Sequence, residues 1–209
     1  VSPLRTVDMH TGGEPVRIVV DGYPDIPGAT ILVKRRFVTE HLDHLRRLLM
    51  FEPRGHADMY GVIPVEPDHP EADLAVLFMH NEGYSTMCGH ATIAVSRWAI
   101  ESGLIAAREP VTTFNLQVPA GLVRVSARVA NGRVERVAFR SVPAFVEHTR
   151  VPVAIPGFGE ITLDVAYGGA FYAFASAADY GLQLPGSPIA DLVRAAWATT
   201  GAVAAALPL

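Results

Sequence analysis

The pattern Asp-x-x-x-Gly-Gly occurs twice in this chain, 156 positions apart: Val7-Asp8-Met9-His10-Thr11-Gly12-Gly13 and Leu163-Asp164-Val165-Ala166-Tyr167-Gly168-Gly169. A strand-prone run follows each copy, Val16–Val20 in the first and Ala170–Ala175 in the second, and a helix-prone segment comes after it. A strand-then-helix order repeated at a fixed offset reads as an internal duplication. It restricts the fold to two similar domains of mixed α/β (α+β) character. Ser141-Val142-Pro143 supplies a hinge, giving a first domain over 1–140 and the start of a second over 141–209. The second helix is expected to begin with Ser187 as N-cap and Pro188 at its first position. A copy of any residue near 88 would fall near 244, beyond the last residue. The segment from Thr199 to Leu209 carries no charge and reads as an apolar stretch awaiting a partner. The second domain is therefore expected to be cut short.

Half of the 209 residues are apolar and 18% are charged, the balance of a soluble globular protein. The formal net charge of -4 argues against a nucleic-acid partner, which needs clustered Lys and Arg. No stretch approaches the roughly 20 apolar residues of a membrane span, so no membrane partner is expected. The opening Val1-Ser2-Pro3-Leu4-Arg5 lacks the apolar core of a signal peptide, and its missing Met suggests trimming or an incomplete record. One cysteine, Cys88, cannot form an internal disulfide, which fits the reducing cytoplasm.

Within the first domain, Ile31–Arg35 reads as a strand. Thr39 then reads as the N-cap of a helix near Glu40–Met50, with Leu42, Leu45 and Leu49 at helical spacing. Arg54 to Asp58 reads as a loop, and Met59–Val65 and Leu74–His80 as strands. His90–Ser102 reads as a helix stopped by Gly103. Leu122–Val129 and Arg133–Phe139 read as strands joined by Asn131-Gly132, a strong hairpin signal.

Cys88-Gly89 thus falls between a buried strand and a helix N-terminus. There the helix dipole and free backbone N–H groups favour a thiolate, and the thiol is expected to titrate below about 8.5, toward neutrality. Gly89 lets a ligand approach the backbone. The N–H groups of Gly89, His90 and Ala91 can hold a carboxylate, and the His90 side chain can bind an amine or hydroxyl. These parts suit abstraction of a Cα proton from an amino acid. Two other readings stay open. Cys88 can be a small buried hydrophobe, the usual place of a free cysteine. His80, Glu82, Cys88 and His90 can be metal ligands, although the later Cys-x-x-Cys of a zinc deaminase is missing.

The first Gly-Gly motif with Glu14-Pro15, together with Met87-Cys88-Gly89-His90, resembles the proline racemase family. The flanking segments Met50-Phe51-Glu52-Pro53-Arg54-Gly55-His56-Ala57-Asp58-Met59-Tyr60-Gly61, His80-Asn81-Glu82-Gly83-Tyr84-Ser85 and Ala166-Tyr167-Gly168-Gly169-Ala170-Phe171-Tyr172 resemble its trans-3-hydroxy-L-proline dehydratase branch. The resemblance implies a diaminopimelate-epimerase-like fold, two pseudo-symmetric α/β domains with the substrate between them, and no cofactor or metal. It implies a small amino acid as substrate, with Cys88 as acid/base and Gly89 and His90 binding that substrate. A homodimer stands open. In the family a facing Cys or Thr, with an Asp, comes from a second-domain motif of the form Asp-Arg-Ser-Pro-Cys/Thr-Gly-x-Gly. That motif does not occur here. Its Thr would mark the hydro-lyase and its Cys a proline racemase or 4-hydroxyproline 2-epimerase; an inactive fragment is the third reading.

Other polar residues carry blander expectations. His10 and Glu14 either line the site or satisfy the Gly-Gly turn, the latter being commoner. Arg54, His56 and Asp58 read as solvated loop. Glu82 and Tyr84 could stand behind Cys88. His41 and His44 read as surface, Trp98 as core, and Phe171, Tyr172 and Phe174 as strand packing.

Overall fold

The computed structural model describes residues 3–207. Val1-Ser2, the start of the expected untargeted N-terminus, and Pro208-Leu209, the end of the uncharged tail, lie outside them. The chain forms two compact units, 1–142 and 143–209.

In the first unit seven strands form one sheet in chain order. They are β1 (Arg5–Thr11), β2 (Glu14–Asp21), β3 (Tyr60–Val65), β4 (Leu74–His80), β5 (Val111–Val118), β6 (Gly121–Ala130) and β7 (Arg133–Arg140). β2 and β3 pair in parallel, as do β4 and β5, and the other neighbours are antiparallel. α1 (Ile31–His41) and α2 (Asp43–Met50) join the first parallel pair, and α3 (Gly89–Glu101) joins the second.

The uniform apolarity of Leu74–His80 follows from this layering. Leu74, Val76 and Phe78 pack with Ala91, Ala94, Val95 and Ala99 of α3. Ala75, Leu77 and Met79 pack with Ile31, Val38, Leu49 and Met50 of α1 and α2. A strand covered on both faces has no solvent side and loses the alternation of a half-buried one. Each large side chain so buried contributes about 1.5–3 kcal/mol. On β6 the alternation returns. Val123, Val125, Ala127 and Val129 face α3, while Arg124, Ser126 and Arg128 face water.

The expected strand at Ile31–Arg35 is instead the first half of α1. Thr30 is its true N-cap, its Oγ1 accepting from Val33 N–H at 3.3 Å, and Asp68 Oδ1 accepts from Ile31 N–H at 2.7 Å. Ile31 and Val33 favoured a strand locally, but buried Ile31, Lys34 and Val38 lie on one helical face. Thr39 is inside that helix, donating from Oγ1 to the Arg35 carbonyl at 2.8 Å. The expected single helix to Met50 is broken at Leu42, whose φ of -121° and ψ of 12° are not helical.

In the second unit β8 (Phe145–Ile155), β9 (Gly159–Tyr167) and β10 (Phe171–Phe174) form an antiparallel sheet in the order β10-β9-β8. A 3-10 turn at Ala177–Tyr180 and α4 (Ile189–Ala206) follow. Val203 of α4 packs on Val153, Ile155, Ile161, Leu163 and Val165. Pro188, not Ser187, is the N-cap of α4; Ser187 Oγ accepts from Gln183 N–H. The uncharged segment is helical to Ala206, with Thr199 and Val203 buried. Phe171, Tyr172 and Phe174, expected to pack, are exposed.

Each Asp-x-x-x-Gly-Gly motif precedes a strand, as expected, and its first four residues also end the strand before it, β1 or β9. β1 turns through Gly12-Gly13 into β2, with Thr11 opposite Glu14. β9 turns through Gly168-Gly169-Ala170 into β10, with Tyr167 opposite Phe171. Gly12 and Gly13 have φ of 61° and 102°, a region that costs glycine nothing.

Candidate active site

The segment between β4 and α3 carries Cys88, and the helical layer holds it from behind. His80 and Gly83 exchange backbone hydrogen bonds of 2.9 and 3.3 Å. Buried Arg46, paired to Asp43 at 2.6 Å, donates from Nη1 to the carbonyls of His80 and Asn81 at 2.8 and 2.5 Å. Arg35 donates to the Tyr84 carbonyl, from Nε at 3.1 Å. Asn81 Nδ2 donates to the carbonyls of Met50 and His56. Gly55 belongs to this joint: a Cβ there would stand 2.2 Å from the Met50 carbonyl oxygen. Ala120 N–H then binds the Thr86 carbonyl at 3.0 Å.

Cys88 is the N-cap of α3, extended at φ -146° and ψ 113°, and only 8% exposed. Its carbonyl starts the helix by accepting from Thr92 N–H at 3.0 Å and Thr92 Oγ1 at 2.7 Å. Burial pushes its thiol up to about 11, while the N–H groups of Ala91 and His90 pull it down and the Glu14 carboxylate adds to the rise. The expectation of a thiol near neutrality therefore fails in the free chain. Desolvation of the anion outweighs the helix terminus.

His90 is brought against Cys88, its Nδ1 3.4 Å from Sγ. The ring meets Tyr60 edge-on at a centroid distance of 4.7 Å, and Nε2 is buried with no hydrogen-bond partner among the described residues. Thr11 Oγ1 donates to the His90 carbonyl at 2.9 Å, tying the end of β1 to α3. Gly89 is exposed, and a Cβ there would meet only Phe139 Cζ at 3.7 Å, so the surface above the helix terminus is open.

The remaining candidates separate. His10 serves the turn, its Nδ1 accepting from Gly13 N–H at 3.3 Å. Glu14 acts on Cys88 through its charge. Tyr84 does not stand behind Cys88; it is buried with α1 and α2, the Arg46 guanidinium 5.9 Å from its ring centre. His80 accepts from Glu82 N–H through Nδ1, and burial, then the charge of Arg46, hold its pKa below the usual value. His80, Glu82, Cys88 and His90 are not gathered into a group able to hold a metal, nor are any others among the described residues. His41 and His44 are exposed, and Trp98 packs on the core. Sequence reasoning missed Thr11 and Tyr60. The register of β3 on β4, which sets Tyr60 opposite His80, was the signal that could have found the second.

A cavity of about 570 Å³ lies in the second unit, lined by Phe171, Tyr172, Leu192, Ala195 and Val203 among others. It contains no charged side chain, and Cys88, Gly89 and His90 do not line it.

Residues 6–209 match the family described as proline racemase. The trans-L-3-hydroxyproline dehydratase of Xenopus tropicalis is 55% identical over 207 residues, covering 99% of this chain and 60% of that protein. Among solved structures, a probable proline racemase from Agrobacterium radiobacter with bound carbonate superposes with a TM-score of 0.91 at 32% identity, covering 99% of this chain and 62% of that one. A hydroxyproline epimerase from Agrobacterium vitis with bound trans-4-hydroxy-L-proline gives 0.81 at 31% identity, covering 87% and 54%. The chain spans about 60% of the length of the curated relatives it matches.

Proposed function

This chain belongs to the proline racemase family, and from that premise we propose that it carries the Cys88 half of an enzyme that dehydrates trans-3-hydroxy-L-proline to 1-pyrroline-2-carboxylate. The observation that carries the reading is Cys88 itself: a lone thiol at the N-terminus of α3, beside an open helix end, in a chain 55% identical to a dehydratase named for that substrate. In that role the thiolate removes the Cα proton. The N–H group of Gly89 at the start of α3 binds the substrate carboxylate and stabilises the enolate-like charge that develops. No cofactor or metal is required, and activity is expected to survive EDTA.

The stereochemistry suits a single acid/base. In trans-3-hydroxy-L-proline the hydroxyl is trans to the carboxylate. The Cα hydrogen lies across C2 from the carboxylate, hence on the hydroxyl's face. Loss of water is a syn elimination, and one group on that face reaches both. The Cys88 thiolate takes the proton, and the thiol so formed returns it to the departing hydroxyl. The C2–H and C3–O bonds break, an enamine and water form, and the enamine tautomerises to the imine.

A second reading, epimerisation of a hydroxyproline, is favoured by the likeness to the Agrobacterium vitis epimerase. It requires a second acid/base on the opposite face. The 143–209 unit is read as the opening of the domain that supplies the facing residue, because the relatives are longer. The lone cysteine supports a cytoplasmic setting, and no helix among the described residues is long and apolar enough to cross a membrane. The test offers trans-3-hydroxy-L-proline and cis/trans-4-hydroxyprolines to the full-length protein that carries this chain. Formation of 1-pyrroline-2-carboxylate from the first is expected. Inversion at C2 without loss of water would select the second reading.

A further inference from the structure

The ring of His90 is already committed before any substrate arrives. Nδ1 faces Cys88 Sγ at 3.4 Å, and Nε2 is buried without a hydrogen-bond partner among the described residues. We propose that His90 is held as the Nδ1–H tautomer and donates that hydrogen to the Cys88 sulfur, so that its side chain serves the thiolate. The proposal rests on Cys88 being the acid/base of the site.

A neutral imidazole has one N–H and one bare nitrogen, and the surroundings decide which is which. With the hydrogen on Nε2, a buried N–H would have no acceptor, and Nδ1 would receive only the weak S–H donor. With the hydrogen on Nδ1, the donor faces sulfur, and the buried nitrogen is a bare acceptor. Orphaned buried N–H groups are rarer than under-satisfied acceptors. Tyr60, edge-on at 4.7 Å, keeps the ring in this orientation, and His80 lies behind Tyr60 at 5.6 Å.

The chemistry needs such a donor. Desolvation and the Glu14 carboxylate of β2 both oppose the thiolate, and the N–H groups of His90 and Ala91 in α3 are the counterweight. The His90 ring adds a third N–H converging on the same atom. A hydrogen bond to an ionised acceptor is roughly twice as strong as a neutral one, so the ring favours thiolate over thiol. Its own proton stays on Nδ1 throughout; only the substrate's proton moves, to and from sulfur. His90 is thus a positioning residue.

The chain's single cysteine makes the test specific, because thiol alkylation reports this sulfur alone. The pH dependence of iodoacetamide alkylation is measured on the folded 209-residue chain and on His90→Asn, His90→Gln and His90→Leu. An Asn amide can take the place of Nδ1–H, whereas a Gln amide reaches the Nε2 position. His90→Asn is expected to keep the wild-type midpoint. His90→Gln and His90→Leu are expected to move it up by about one pH unit, a roughly tenfold slower reaction at any pH below the midpoint. A downward shift in His90→Leu would mean that the ring accepts from the thiol, and an unchanged midpoint would mean no coupling; either overturns the proposal, as does Asn behaving like Leu. Should the variants misfold, ¹⁵N shifts of the wild-type ring decide: a protonated Nδ1 with bare Nε2 is expected, and the reverse overturns it. None of these readouts uses turnover, so failure of the dehydratase reading would be seen separately.

Discussion

Thr11 Oγ1 donates a 2.9 Å hydrogen bond to the carbonyl of His90, 79 positions along the chain. The bond joins the last residue of the first Gly-Gly hairpin strand to the first turn of the helix that Cys88 caps. The two most conspicuous motifs of the sequence thereby meet at one atom.

Thr11→Val keeps the shape and removes the donor. Stability to urea is expected to fall by about 1 kcal/mol, and Thr11→Ser should restore most of it. Turnover by the full-length protein should drop severalfold in the Val variant. A Val variant equal to wild type in both measurements would mean that the bond positions nothing.

The true start of α1 can be read by mutation. Thr30→Ala removes the cap of that helix and should cost about 1 kcal/mol. Thr39→Ala, within the helix, should be neutral or slightly stabilising. The opposite ranking would restore the later helix start suggested by the sequence alone.

That contrast shows where the sequence was legible. β4, α3 and the β6–β7 hairpin emerge from patterns that depend on neighbours in the chain: a doubly buried apolar run, a Gly stop, and Asn131-Gly132 with φ of 52° and 71°. Ile31–Arg35 was misread because its β-branched residues favour a strand. Its helix is secured from a distance, by Asp68 at the first N–H and by burial under β4. At the site, Cys88 and its place at a helix terminus were plain from local signals. Its high pKa was not, because desolvation and the charge of Glu14 arise only once β2 lies beside α3.

The arginine clamp behind the site gives a further expectation. Arg46 is buried and shared between Asp43 and the carbonyls of His80 and Asn81. Arg46→Met should destabilise the chain by about 2–3 kcal/mol in urea unfolding. Arg46→Lys should recover little, because an ammonium cannot reproduce the guanidinium fork. Full rescue by Lys would reduce the clamp to a simple charge effect.

The Cys88 thiol sets a pH dependence whose sign follows from its direction of shift. It ionises at about 11 in the folded chain against an ordinary value of 9.0. Between those values the unfolded chain has released its proton and the folded chain has not. The stability this group contributes is full below pH 9 and declines as pH rises toward 11. Urea midpoints measured across that window should fall more steeply for wild type than for Cys88→Ala. Parallel curves would show that the thiol is not desolvated as described.

The most direct measurement of the central claim is the rate of trans-3-hydroxy-L-proline dehydration by the full-length protein with Cys88→Ser. A serine hydroxyl stays protonated near pH 7 and cannot replace a thiolate as base. With folding verified by circular dichroism, turnover is expected to fall by about a thousandfold or more. A Cys88→Ser protein that retains turnover within tenfold of wild type would contradict the assignment of Cys88 as the acid/base.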